Sequence, residues 1–151
     1  MAYWLAKSEP DVYSIADLKR DGVTGWEGVR NYTARNSLRA MKVGDPVIFY
    51  HSNAEPPGIA GVARVAREAY PDPTQFQPDS HYYDEGSKPE DPRWSTVDVA
   101  WVETFAAVIP LEKLKADPEL VGLEVTRKGT RLSVHPVSEA HYQRILKLGR
   151  G

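Results

Sequence analysis

Residues 25–36 read GWEGVRNYTARN, a run that sets one Trp, one Tyr, two Arg and two Asn beside glycines able to turn the backbone. Recognition of a single nucleobase uses these residue types: flat rings to stack on, paired donors and acceptors for the base edge, and cations for phosphate. Each also has a structural use. Trp26 is either the wall of a pocket or a buried core or lid side chain, because tryptophans are usually well buried. Asn31 either reads a base edge with its amide or caps a helix that begins at Tyr32. Arg30 and Arg35 either fork onto phosphate, one of the two at most, or pair with an acid such as Glu9 or Glu27.

Other residues extend this set. In the run VIFYHSN, alternation puts Tyr50 and Ser52 on one face and Phe49 and His51 on the other. Only one pair can line a pocket, unless the chain leaves regular structure near Asn53 and His51 turns inward. Ser8 either hydrogen-bonds a base or its backbone, or closes its own turn. Trp94 is a second candidate wall, whereas Trp4 and Trp101 fall in strand patterns and are expected in the core.

The triplet Lys7-Ser8-Glu9 holds an amine, a hydroxyl and a carboxylate in succession. On a strand, however, Lys7 and Glu9 share a face and Ser8 points away, poor geometry for a nucleophile within about 3 Å of its base. His51-Ser52 fails for the same reason. No GxSxG, paired-carboxylate pattern or phosphate loop is present, so no catalytic residue is assigned. The absence of Cys removes thiolate nucleophiles, disulfides and Cys-based zinc sites. The four histidines show neither HxH nor HxxxH spacing, so neither a metal nor a cofactor is expected.

The 151 residues, 41% of them hydrophobic, suffice for one domain spanning 1–151. No apolar run reaches the roughly 18 residues of a membrane span, and MAYWLAKSEP lacks the features of a secretory signal. A soluble, cytoplasmic monomer is expected. The net charge of −2 argues against indiscriminate nucleic-acid binding, but it hides an uneven distribution. Arg30, Arg35, Arg39 and Lys42 stand without an acid between 28 and 42, and a second basic segment, including Arg131, runs from 126 to the end. If the two converge, they form a local anion-binding face. If not, they are solvated helix faces.

Elements to position these residues follow from pattern. Strands are predicted at YWLAK, PVIFYHS, IAGVARVARE, STVDVAWVETF and RLSVHPV. Helices are predicted after Ser14, an N-cap with Asp17 at N3; across Ala34, Leu38 and Met41; at IPLEKLKAD; and after Ser138. Residues 70–94 hold many prolines and acids but also aromatics, which predicts a long ordered loop, either a lid or a protein-interaction surface. Strands that pair across intervening helices in so short a chain indicate an α+β fold: a small mixed, mainly antiparallel β-barrel with peripheral helices.

The pieces YWLAKSEP, WEGVRNYTARN, FYHSN with GIAGVARV, PRWSTVDV and RLSVHPV, in this order, resemble the EVE domain of the PUA-like superfamily, which also includes the YTH domains. The resemblance covers nearly the whole chain. It implies a PUA-like barrel and a pocket suited to a modified base of DNA or RNA, and the lack of a catalytic constellation predicts that the base is bound unchanged. The implied pocket residues are Ser8, Trp26, Val29, Asn31, Tyr50, His51, Ser52 and Trp94, with Arg30, Arg35 and Arg131 toward phosphate. Two alternatives stand beside it: a small amidohydrolase resembling the ASCH relatives and acting on a modified nucleoside, or a protein-interaction module built on the 70–94 loop.

Overall fold

In the computed structural model, which describes residues 1–151, the first strand β1 (Tyr3–Ser8) alternates its side chains between two buried faces. Trp4 and Ala6 enter one apolar cluster and Leu5 enters another. The remaining strands are β2 (Val23–Gly25), β3 (Pro46–His51), β4 (Gly58–Pro71), β5 (Ser95–Pro110) and β6 (Val134–Val137). They form one six-stranded sheet in the order β2-β5-β4-β3-β1-β6. β1 and β3 run parallel, and the other neighbouring pairs are antiparallel.

This is the expected mixed, mainly antiparallel α+β fold, and hydrogen bonding does not close the sheet into a continuous barrel. Its end strands explain that: β2 has three residues and β6 four, too few hydrogen-bonding groups to bridge the remaining edge. The predicted strand at RLSVHPV is accordingly confined to Val134–Val137, and β2 had no pattern long enough to announce it.

Four helices cover the two faces: α1 (Ile15–Asp21), α2 (Tyr32–Ala40), α3 (Leu111–Ala116) and α4 (Glu139–Arg150). Ile15 and Leu18 of α1 and Ala34 and Leu38 of α2 pack with Val47 and Phe49 of β3. Leu114 of α3 and Ile145 of α4 pack with Ile48 and Tyr50 on the opposite face. The strands are therefore apolar on both sides, as sheets covered by helices on both faces require. Local signals fix the helix starts. Ser14 and Asp17 exchange the two hydrogen bonds of a capping box, and the Ser138 hydroxyl accepts from the His141 N–H.

The segment between β4 and β5 is an ordered loop with a polar rather than apolar core. The Gln75 amide donates to the carbonyls of Asp72 and Trp94, and its oxygen accepts from the Ser87 hydroxyl and the Trp94 N–H. One buried side chain thereby ties the two ends of the loop together. Trp4 is in the core, with its indole N–H on Asp45 at 3.0 Å. Trp101, also expected there, is only half-buried: its indole N–H bonds Thr104, and Lys19 lies 5.3 Å above its ring.

Candidate functional site

At the carboxyl ends of β1 and β3 the parallel pairing runs out, with the Ser52 N–H on the Ser8 carbonyl, and a cavity of about 540 Å³ opens there. That volume lies in the range of small-ligand pockets. Its floor and one wall come from the stretch after β2, where Trp26, Glu27, Gly28, Val29 and Arg30 all face it. Ser8 and Ser52 line the strand ends, Tyr82 reaches in from the 70–94 loop, and Arg131 closes the side near β6.

Trp26 serves both structural alternatives at once. The residue is only 8% exposed and its ring meets Phe49 edge-on at 5.4 Å within the core, yet its remaining surface forms cavity wall. Backbone hydrogen bonds hold the segment: the Trp26 N–H donates to Val97, and the Gly28 N–H to the Asp72 carboxylate at 2.8 Å. Gly28 has φ +88°, and a Cβ there would sit 2.6 Å from the Tyr82 ring. Both the backbone and the close approach of that ring require glycine.

Arg30 is the hub that joins this segment to the loop. Its Nη1 donates to Asp72 at 3.0 Å and to the Val29 carbonyl, Nη2 to Thr74 and the Tyr82 carbonyl, and Nε to Tyr82 again. The guanidinium also lies within cation–π range of the Tyr82 and Trp94 rings, 5.5 and 5.4 Å from their centres. All five N–H groups are occupied within the protein, so none remains for phosphate. Its acid partner is Asp72, neither Glu9 nor Glu27. Burial pushes the Asp72 carboxyl up, but hydrogen bonds from Gly28, Thr74 and Arg30 together hold it below the usual carboxylate range.

Several candidate residues lie outside the cavity lining. Asn31 is the exposed N-cap of α2, its side-chain oxygen accepting from the Ala34 N–H at 3.0 Å. Tyr50 follows the strand alternation to the face covered by α3 and α4 and is buried there. His51 does not turn out of the strand: it stays in β3 on the Phe49 face toward α1, where its Nε2 accepts from the Ile15 N–H and burial lowers its pKa. Trp94 is buried as an anchor of the loop, stacked on Tyr32 and donating to Asp84. Arg35 rests on Tyr32 and bonds Asn36 and the Arg93 carbonyl. Ser8, Trp26, Val29, Ser52, Arg30 and Arg131 are the candidates the fold brings together.

The cavity adds residues not assigned to a pocket from the sequence: Lys7, Glu9, Tyr13, Glu27 and Tyr82 among them. Tyr82 lies 52 positions from Arg30, whose guanidinium holds its carbonyl, and no local pattern signals that contact. The Ser8 hydroxyl donates to the Tyr13 carbonyl at 2.6 Å rather than to a general base. Burial lowers the Lys7 pKa, opposed by the charge of Glu124. Lys7 and Arg131 place two cations at the cavity, but the two basic segments do not converge there: Arg30 is spent inward, Arg35 and Arg39 bond the 70–94 loop and Ser95, and Arg127, Arg144 and Arg150 pair with Glu124, Asp117 and Glu103.

Comparison with known proteins places this architecture. The EVE domain family model matches residues 2–148. Thymocyte nuclear protein 1 of Mus musculus is 44% identical over 97% of this chain and 73% of its own length. A crystal structure of a Pseudomonas putida protein superposes with a TM-score of 0.95 at 54% identity, covering 97% of this chain and 99% of that one. The human THYN1 protein, in a crystal structure with 5-methylcytosine-containing DNA, superposes at 0.93 with 41% identity over 100% of this chain and 99% of that chain. A YTH domain of Zygosaccharomyces rouxii shares the fold, at a TM-score of 0.55 and 14% identity over 99% and 87% of the two chains. The chain belongs to the EVE domain family.

Proposed function

We propose that this protein is a nucleic-acid-binding module that receives one modified base in the cavity beside Trp26 and leaves it chemically unchanged. The observation that carries this reading is the composition of that single cavity. An aromatic wall, polar edge groups and two cations converge there, in a chain similar throughout to a protein crystallised with 5-methylcytosine-containing DNA. Trp26 and Tyr82 supply π surfaces, Ser8 and Ser52 supply hydroxyl oxygens at the strand ends, and Lys7 and Arg131 stand where a backbone phosphate would be neutralised. Arg30 works indirectly by holding Tyr82 and the loop in place.

A base enters such a cavity only after leaving its stack, which costs least in single strands or at mismatches. The cavity is complete within one chain, which supports a monomer as the acting unit. The open sheet, bulged repeatedly between β4 and β5, is consistent with the curled PUA-like barrel inferred from the sequence. The hydrolase alternative draws on Lys7, Ser8 and Glu9 sharing the cavity, but the Ser8 proton is engaged by a carbonyl.

The test is a binding screen of oligonucleotides carrying one modified or unmodified base, as DNA and as RNA, followed by mass analysis of the recovered strand. Tighter binding of a modified strand that is recovered intact supports the reading. Recovery of an altered nucleoside, abolished by Ser8→Ala or Lys7→Ala, would replace it with hydrolysis. Equal, weak binding of all strands would overturn it.

A further inference from the structure

Each carboxylate at or behind the cavity has a partner, with one exception. Asp72 accepts from Gly28, Arg30 and Thr74. Asp98 accepts the Tyr70 hydroxyl at 2.6 Å, and Glu9 accepts the Asn53 amide. Glu27 has neither an ion pair nor a hydrogen bond to its carboxylate: it is exposed at the cavity mouth, with water on one side and the like charges of Asp72 and Asp98 behind it.

Its backbone is nevertheless fixed. The preceding residue, Trp26, is tied to Val97, and the following Gly28 is tied to Asp72, so the Glu27 backbone is clamped on both sides. The side chain therefore projects from the same short wall that presents the Trp26 ring. An unpaired acceptor adjoining a stacking surface is suited to the edge of a stacked ring. Because both oxygens are acceptors, that edge must offer N–H donors.

On the reading that the cavity holds a base, we infer that Glu27 accepts a hydrogen bond from the exocyclic amino group of that base. The cavity then selects amino bases, such as a 5-substituted cytosine or an adenine, over their keto counterparts. A keto oxygen in the same place would set acceptor against acceptor and leave Glu27 unpaired, the arrangement by which a polar site rejects the wrong ring. Burial first, then Asp72 and Asp98, raise the Glu27 pKa, which strengthens its need for a donor when ionised.

Two matched pairs of single-stranded oligonucleotides isolate this feature: 5-methylcytosine against thymine, and adenine against hypoxanthine. Within each pair the amino group becomes a keto oxygen, the adjacent ring nitrogen changes from acceptor to N–H donor, and ring shape is kept; a carboxylate set on the exocyclic position meets only the first change. The wild type should favour the amino member of the pair it binds by about 5- to 150-fold. Glu27→Gln, whose amide can turn a donor toward a keto oxygen, should bring that ratio close to one, and Glu27→Ala should lower affinity for the amino base alone. An unchanged ratio in Glu27→Gln, in a protein that still binds 5-methylcytosine or adenine, overturns the role of Glu27 and leaves base binding standing. No measurable binding of any of the four strands by the wild type overturns the base-binding reading itself.

Discussion

Replacing Asp72 by Ala tests whether the cavity is held open by one buried carboxylate. The Asp72 side chain is 0% exposed and accepts from the Gly28 N–H, an Arg30 Nη1–H, and the N–H and hydroxyl of Thr74. Removing one member of a buried pair costs about 3–5 kcal/mol, because the other charge is left unpaired. Arg30 is 22% exposed and its other hydrogen bonds remain, so water recovers part of that loss. We expect a loss of about 2–4 kcal/mol, or about 4–16 °C in Tm for a domain of this size. Asp72→Asn keeps the shape but removes the charge and should cost about 1.5–3 kcal/mol.

Urea and thermal unfolding give the first readout, and affinity for the selected oligonucleotide gives the second. Affinity should fall together with stability, because Gly28 loses its tether and Arg30, which holds the Tyr82 carbonyl, loses its acid partner. A double-mutant cycle with Arg30→Ala should show strong coupling between the two positions. An Asp72→Ala protein within about 0.5 kcal/mol of the wild type, binding as tightly, would refute the claim that this network builds the wall. The same carboxyl titrates below the usual range when folded, so the unfolded chain binds more protons as pH falls. Its contribution is fully present above about pH 4 and lost as the pH drops through the folded value, so acid unfolding should begin earlier in a variant lacking Arg30.

Trp26→Ala should cost about 3–5 kcal/mol as a core truncation and, in the folded fraction, weaken base binding about 5- to 150-fold. Trp26→Phe should retain most of both, and a stability loss with unchanged binding would confine Trp26 to the core. Asn31→Ala should cost about 0.5–2 kcal/mol through the lost cap while leaving base selectivity intact. Altered selectivity in that variant would show that the amide reaches the base. Arg131→Ala should weaken binding of all strands alike and reduce the salt slope by about one, from a total equivalent to about one to three phosphates. A slope that does not change removes Arg131 from phosphate contact.

Elements held by short-range chemistry were legible in the sequence. The capping box of Ser14 and Asp17 and the cap at Ser138 lie within four residues of the groups they bind, and strand alternation set Phe49 apart from Tyr50. The site was legible in its first half only. GWEGVRNYTARN does build a wall, but its members split by role according to contacts far away in sequence. Arg30 is committed inward because Asp72, 42 positions on, is buried against it, and Asn31 is committed to α2 because the helix begins there. The sequence pointed to Trp94 as a wall and gave no signal for Tyr82 in the same loop. Only the fold shows that the first anchors the loop while the second reaches the cavity.

That split decides where selectivity can reside. Trp26 is shared with the core, Gly28 is fixed by its backbone angle and the Tyr82 ring, and Arg30 has spent every donor, so these walls are set by folding itself. A surface fixed before the ligand arrives costs little ordering on binding and admits any flat ring of suitable size. Discrimination must then come from side chains at the cavity that the fold leaves uncommitted. Glu27 at the edge offers acceptors without a protein partner, while on the proposed reading Lys7 and Arg131 would offer positive charge to a backbone that carries no sequence information. Exchanging Glu27 should therefore change which base is held, whereas exchanging the walls should change whether there is a cavity to hold one.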